Sequence, residues 1–322
     1  MHIPSAVFVI ATATIAAPAG ASAAVICNYD EDAKTATVTM EANFDEAIIQ
    51  RSEDAITVNG TACGDATVMN TDTVLVEDLG GSAVFTFVTI SLSGGPFAPG
   101  FEDEAGDSDE IEFQVDHGAV QAPEGITVMG SAGGDTITVG ANVGDPLPVA
   151  INLDASEVDG IDADVTTDSP NVGLRGSGGS DSLDAGGGAG TGETLTGAIL
   201  QLSGGAGPDL LLGVGGSALF GDGGNDELRT IASCFMNGGP GGDLLVGAGG
   251  NDEFVGGGGD DIAVGGGGKD VLRGKGGHDQ LKGRKGNDQL FGHKGNDLLV
   301  GGPGTDSCVG GPGNDRLRSC ET

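Results

Sequence analysis

The sequence predicts an all-β protein: a parallel β-solenoid of nine-residue repeats preceded by a small β domain. Three observations carry this reading. Residues 238 to 318 are nine gapless copies of one nine-residue unit, from GGPGGDLLV to GGPGNDRLR, and a fixed short period marks a repeat architecture. Ahead of them lie short runs rich in Val, Ile, Thr and Phe, separated by Gly, Asn and Asp clusters, with no amphipathic helical period. The 322 residues hold 64 Gly, no Trp and 48 acidic against 13 basic side chains. That composition would suit disorder, but an apolar residue at the same place in every repeat argues for a solenoid. The expected organisation is 1–23, a signal segment; 24–124, a β domain; 125–237, an irregular solenoid; and 238–322, the regular array with its C-terminal cap.

Residues 1–23 read as a secretory signal. The run from Ala6 to Ala17 is apolar apart from threonines, Pro18 and Gly20 follow, and Ala21-Ser22-Ala23 is an A-x-A cleavage site, although MHIPS carries no Lys or Arg. The competing reading is a buried first strand. Export makes the five cysteines candidates for disulfides. Cys27 and Cys63 fall together in the front domain, Cys308 and Cys320 in the last turns. Cys234 is left over, as a buried thiol or an intermolecular link, and other pairings stay open on sequence. No further stretch is long enough to span a membrane.

In the β domain the candidate strands are Thr35–Met40, Ala55–Asn59, Thr73–Glu77, Ala83–Ile90 and Glu110–Val115. Seven of the twelve residues from Phe101 to Glu112 are acidic. They read as a solvated loop, with a separate cation site as the alternative, since the EF-hand spacing is missing. Asn59-Gly60-Thr61 is a glycosylation sequon.

From about residue 125 the repeat appears in degenerate form, and a continuous right-handed solenoid is expected from there. Gly130 to Thr138 (GSAGGDTIT), Gly176 to Asp184 (GSGGSDSLD), Gly204 to Leu212 (GGAGPDLLL) and Gly221 to Arg229 (GDGGNDELR) fit it, with Asp135, Asp181, Asp209 and Asp226 at position six. Gly213 to Phe220 is one residue short, with Ala218 where Asp belongs. The segment TIASCFMN, with Ile231 and Phe235, reads as an apolar turn.

In the regular array, position one is Gly throughout: Gly238, Gly247, Gly256, Gly265, Gly274, Gly283, Gly292, Gly301 and Gly310. Position four is Gly241, Gly250, Gly259, Gly268, Gly277, Gly286, Gly295, Gly304 and Gly313. Position six is Asp243, Asp252, Asp261, Asp270, Asp279, Asp288, Asp297, Asp306 and Asp315. Position eight is apolar: Leu245, Phe254, Ala263, Leu272, Leu281, Leu290, Leu299, Cys308 and Leu317. A three-residue strand with position eight pointing inward and seven and nine outward fits this pattern. The six preceding residues then turn the chain, using glycine where the backbone needs a positive φ.

The pattern G-G-x-G-x-D-x-U-x resembles the RTX, or haemolysin-type, calcium-binding repeats. The stretch ITVNGTACGDATVMNTDTVLV similarly resembles domains placed before such repeats in exported bacterial calcium-binding proteins, without a named activity. The resemblance implies a parallel β-roll with two copies per turn, each copy stacked on the one two further along. It implies Ca²⁺ held by the position-six carboxylates and by backbone carbonyls of the loop glycines named above, with Asp209 and Asp226 included. TIASCFMN would replace one such site. Five copies on one side and four on the other give at most seven sites in the array, with weak affinity on the order of 10⁻⁴ to 10⁻³ M as in extracellular modules.

Physical chemistry points the same way. Stacked strands would bring like carboxylates to about 4.8 Å, where they repel by roughly 3 to 4 kcal/mol at an effective dielectric of 20. Glycine makes up 28 of the 81 residues of the array, which adds a large ordering entropy. A hard divalent cation offsets both, so the array is expected to order only with metal. The array holds 11 acids and 9 bases, near neutral before metal and basic after it. Lys269, Arg273, Lys275, Lys282, Arg284, Lys285 and Lys294 form a candidate face for cell-wall or surface polyanions. The simpler reading is solubility and blunted strand edges. A net charge of −35 excludes nucleic acid as a partner.

An exported hydrolase carrying the repeats is the rival reading. The chain has no H-E-x-x-H and no G-x-S-x-G. Of its four histidines, His2 falls in the signal, His278 and His293 at variable loop positions, and only His117 elsewhere. A non-catalytic calcium-binding protein is therefore expected, with a structural or adhesive role.

Overall fold

The computed structural model describes residues 25–40, 46–71, 73–78, 87–94, 112–116, 125–133, 136–141, 149–152, 165–167, 171–185 and 199–321. The signal segment, His117, Asp135 and residues 101–111 of the acidic run lie outside them. The described strands form two sheets, of 15 and 13 strands, and no α-helix occurs among the described residues. Side chains of both sheets meet in one apolar core.

Each regular copy contributes one strand, to the two sheets alternately. Leu244–Val246, Ile262–Gly268, Gln280–Gly286, Leu298–Val300 and Arg316–Arg318 lie in the larger sheet. Glu253–Gly258, Val271–Gly276, Gln289–Lys294 and Ser307–Val309 lie in the other. Pairing is parallel, with Phe254 opposite Leu272 and Leu272 opposite Leu290, so one turn is two copies. Several strands outrun the three residues expected of them. Their backbones keep pairing into the next loop, where Gly257 faces Lys275 and Gly266 faces Arg284.

Position eight forms the core. Leu245, Phe254, Ala263, Leu272, Leu281, Leu290 and Leu299 are completely buried, while Leu317, on the outermost strand of its sheet, is 46% exposed. A buried aliphatic side chain contributes roughly 1.5–3 kcal/mol. In the smaller sheet the inward row runs from Ile49 through Ile90, Val128, Leu174, Leu202, Leu219 and Met236 to Phe254 and on to Cys308. Parallel pairing thus reaches back across residue 125. Thr35–Met40 pairs with Thr73–Asp78, which pairs with Glu112–Asp116.

Thr35–Met40 appears as expected, three other expected strands appear with small shifts, and Ala83–Ile90 is described only as Phe87–Ser91. Ile26–Asp30, Glu46–Ser52 and Thr61–Thr67 are additional. Two disulfides form, Cys27–Cys63 and Cys308–Cys320, and Cys234 is free and buried.

Candidate metal centre

The turns set the position-six aspartates in two rows. One row precedes the strands of the larger sheet: Asp181, Asp209, Asp226, Asp243, Asp261, Asp279, Asp297 and Asp315. The other precedes the strands of the smaller sheet: Asp252, Asp270, Asp288 and Asp306. Within a row the backbone N–H of each Asp donates to Oδ1 of the next, as from Asp243 to Asp261 at 2.9 Å and from Asp252 to Asp270 at 3.0 Å. The long row is unbroken from Asp181 to Asp315.

The second carboxylate oxygen is the informative one. Oδ2 of Asp209, Asp226, Asp243, Asp252, Asp261, Asp270, Asp279, Asp288 and Asp297 is buried and receives no hydrogen bond from the protein. An unsatisfied buried acceptor costs roughly 1–3 kcal/mol, more when charged. Burial accordingly pushes the carboxyls of Asp226, Asp261 and Asp270 up to about 7, and those of Asp252 and Asp279 up to about 6. The backbone N–H bond opposes the rise in each case, and neighbouring carboxylates add to it in all but Asp252. Asp209, Asp243 and Asp288 are raised for the same leading reason.

The position-one glycines make room for that oxygen. A Cβ at Gly238, Gly256, Gly265, Gly274 or Gly283 would overlap Oδ2 of the Asp in its own copy. At Gly247 and Gly292 it would strike both Oδ2 and the carbonyl oxygen of Gly265 or Gly310, position one of the copy stacked above. Carboxylate and carbonyl therefore converge between stacked loops. At position four, φ runs from 100° at Gly250 to 157° at Gly313, and a Cβ at Gly268 or Gly295 would enter the carbonyl of Gly250 or Gly277 below. Both glycine sets are thus steric requirements of the stacked loops.

Among the described residues no three Asp, Glu, His or Cys side chains gather at one point. A cation here would draw its remaining oxygens from the backbone. Buried carboxylate oxygens beside carbonyls, with no nitrogen or sulfur, form a donor set for a hard cation of the calcium type.

A second ladder runs along the rims of the loops and was missed at the level of sequence. Position five looks variable, yet its side chain accepts from the position-five N–H two copies on. Lys269 N donates to Asn251 Oδ1 at 2.8 Å, His278 N to Asp260 Oδ1 at 2.7 Å, and Asn296 N to His278 Nδ1 at 2.9 Å. The prevalence of Asn, Asp and His there was the available signal. Asn59 of the sequon is likewise structural, since its Nδ2 donates to the Glu46 carbonyl at 2.8 Å.

The irregular turns differ from expectation in three details. In the short copy Ser217, not Ala218, stands at the Asp place. Phe235 N donates to the Ser217 carbonyl, as Leu244 N does to that of Asp226, and Ala218 is already in the strand. The missing residue therefore comes out of the loop. In TIASCFMN, Ile231 is 68% exposed and does not build an apolar turn. Cys234 takes the Asp place, with its N–H on Asp252 Oδ1 at 2.9 Å, and Met236 fills position eight. Thr230, buried, stands at position one of this shortened loop. A Thr and Cys pair has replaced the Gly and Asp pair.

The basic residues do not share one face. Lys269, Arg284 and Lys285 lie on the loops of the short row, Lys275 and Lys294 on those of the long row, and Arg273 and Lys282 on strands of opposite sheets. Arg273 is paired with Glu253 at 2.6 Å and sits over the Phe291 ring.

Two sheets coiled in turns of 18 residues, with buried carboxylates stacked at the loops, define a parallel β-roll with the features of a cation-binding array. Comparison with known families matches residues 237–272, 264–299 and 283–317 to the RTX calcium-binding nonapeptide repeat, in 4 copies. Residues 237–317 therefore carry RTX calcium-binding repeats, which support a calcium-binding protein. A search of the curated proteins finds no match.

Proposed function

We propose that the chain is a secreted protein whose stacked loops take up several Ca²⁺ ions and order on binding, serving a structural or adhesive role at the cell surface. The observation that carries this is the file of buried Oδ2 atoms with no donor from the protein. The holding groups would be the position-six carboxylates from Asp209 to Asp315 and the carbonyls of the position-one glycines, with position-four glycines shaping the loop. Bound Ca²⁺ supplies positive charge between like carboxylates and a demand for six to eight oxygens. The signal-like residues 1–23 support export, and weak loops would then fill only outside the cell. The scatter of bases around the coil favours solubility and edge protection over a single polyanion-binding face.

The test is calorimetric calcium titration of the mature protein with Asp270 and Asp288 both changed to Ala. Three steps of the short row use one or other carboxylate: Asp252 to Asp270, Asp270 to Asp288 and Asp288 to Asp306. The expected result is a loss of two to three ions per chain and a lower thermal midpoint. An unchanged ion count overturns the assignment.

A further inference from the structure

We propose that residues 319–321 are an abbreviated tenth repeat, and that Glu321 completes one more calcium site against the loop of Asp306. This rests on the calcium reading of the loops given above. The nine-residue pattern assigns nothing beyond Arg318, and the family match stops at residue 317.

The geometry of the tail reproduces the ladder step by step. Everywhere else in the short row an Asp N–H donates to the carboxylate of the next copy. Asp306 N donates instead to Glu321 Oε2, at 2.6 Å. In the regular copies the residue after each Asp returns a hydrogen bond to the carbonyl of the stacked Asp, as Ser307 N does to Asp288 at 2.8 Å. Glu321 N does this to Asp306, at 2.9 Å.

The position-one carbonyl has its counterpart too. A Cβ at Gly301 would meet Asp306 Oδ2 and the carbonyl of Ser319, as one at Gly292 would meet Asp297 Oδ2 and the carbonyl of Gly310. Gly301 N also keeps its bond to the Arg318 carbonyl, at 3.0 Å. By these contacts Ser319 stands at position one of a further copy, although its φ of 48° is left-handed and those of the position-one glycines are not. Glu321 falls at position three, three residues short of the Asp place. A glutamate has one more methylene than an aspartate and leaves the chain earlier, which brings its carboxylate to the same rung. Between them Cys320 is tied to Cys308, the position-eight residue of the copy beneath, so the rung is fastened to the core.

The assignment adds a carboxylate, Glu321, and a carbonyl, Ser319, to Asp306. That is the same kind of donor set as an interior step, carboxylate and carbonyl, with Glu321 exposed where the interior Asp residues are buried.

Equilibrium dialysis with radioactive calcium on the mature full chain, comparing wild type with Glu321→Gln and Asp270→Ala, tests it. Glutamine keeps an oxygen acceptor for Asp306 N–H but loses the charge. The expected result is one ion fewer per chain in Glu321→Gln, with the other ions held as in wild type. A full count in Glu321→Gln overturns the proposal and leaves Glu321 as a hydrogen-bonding cap only. A full count in Asp270→Ala, or no binding by the wild type, overturns the loop assignment itself, so the two failures are told apart.

Discussion

At the scale of residues, every invariant position of the repeat has a separate steric or electrostatic cause. Position one is Gly because Oδ2 occupies the space of its Cβ, and position four because a left-handed backbone lies on the carbonyl below. Not every glycine is constrained in this way. Gly258, at position three, would place a Cβ in open space. Gly265→Ala is therefore expected to cost about 1–3 kcal/mol through overpacking and to displace calcium from the Asp270 loop, whereas Gly258→Ala should leave both stability and ion count unchanged. Thermal melts and calcium titration of the two variants check this, and equal behaviour would contradict the steric account. The carboxylates were legible in the sequence because only Asp recurs at position six. The rim ladder was not, because Asn, Asp and His share an acceptor atom without sharing a letter. Glu321 is not legible in the sequence because it comes three residues early in the count, although both its backbone N–H and its carboxylate fall on the ladder.

At the scale of elements, the two loop rows are unequal. The long row carries eight aspartates in unbroken contact from Asp181, while the short row loses its ligand pattern below Asp252, at Cys234 and Ser217. In sequence this was visible as a copy one residue short without its Asp and as TIASCFMN in the place of a site. Which residue stood at the Asp place depended on whether the gap fell in the loop or the strand, and the strand register decides that. Cys234 also gives a native reporter. Burial, with the charge of Asp252, pushes its thiol up to about 12, and the thiolate is the reactive form. With millimolar calcium, iodoacetamide at pH 8 should leave Cys234 unmodified for hours. In EDTA, where the loops are expected to open, the same thiol should be alkylated within minutes. Mass spectrometry reads both, and equal labelling would refute metal-dependent ordering of this turn.

At the scale of the whole molecule, the two sheets run from the first described strands to the last. Cys27–Cys63 joins their edge strands at one end, and Cys308–Cys320 ties the outermost strand of the smaller sheet to the tail just past the outermost strand of the larger one. Exposed strand edges invite pairing with other chains, and these cross-links lie where the roll has edges. Stacking distances explain why the solenoid was legible only in part. Stacked partners are 18 residues apart in the array, 17 and 28 in the irregular turns, and 38 from Ile90 to Val128. A period so stretched is invisible in sequence, although alternation within each strand survives.

The same architecture fixes the response to pH. Without metal, the carboxylates of Asp226, Asp252, Asp261, Asp270 and Asp279 have folded values of about 6 to 7 against an ordinary 3.8, chiefly through burial. A raised carboxylate value means that the folded state binds more protons than the unfolded one, so stability falls as pH rises. The penalty is full above about pH 7 and is relieved as pH drops towards 4. In EDTA the roll should therefore gain β-sheet signal and thermal midpoint between pH 8 and pH 5. With calcium the order reverses, because protons compete for the same oxygens and affinity weakens with acid. Relief of the overall acidity also contributes, and Asp261→Asn with Asp279→Asn separates the two effects by making the EDTA profile shallower at nearly the same net charge. A metal-free profile that fell with acidification, or one that those substitutions left unchanged, would show that burial of these carboxylates does not govern the fold.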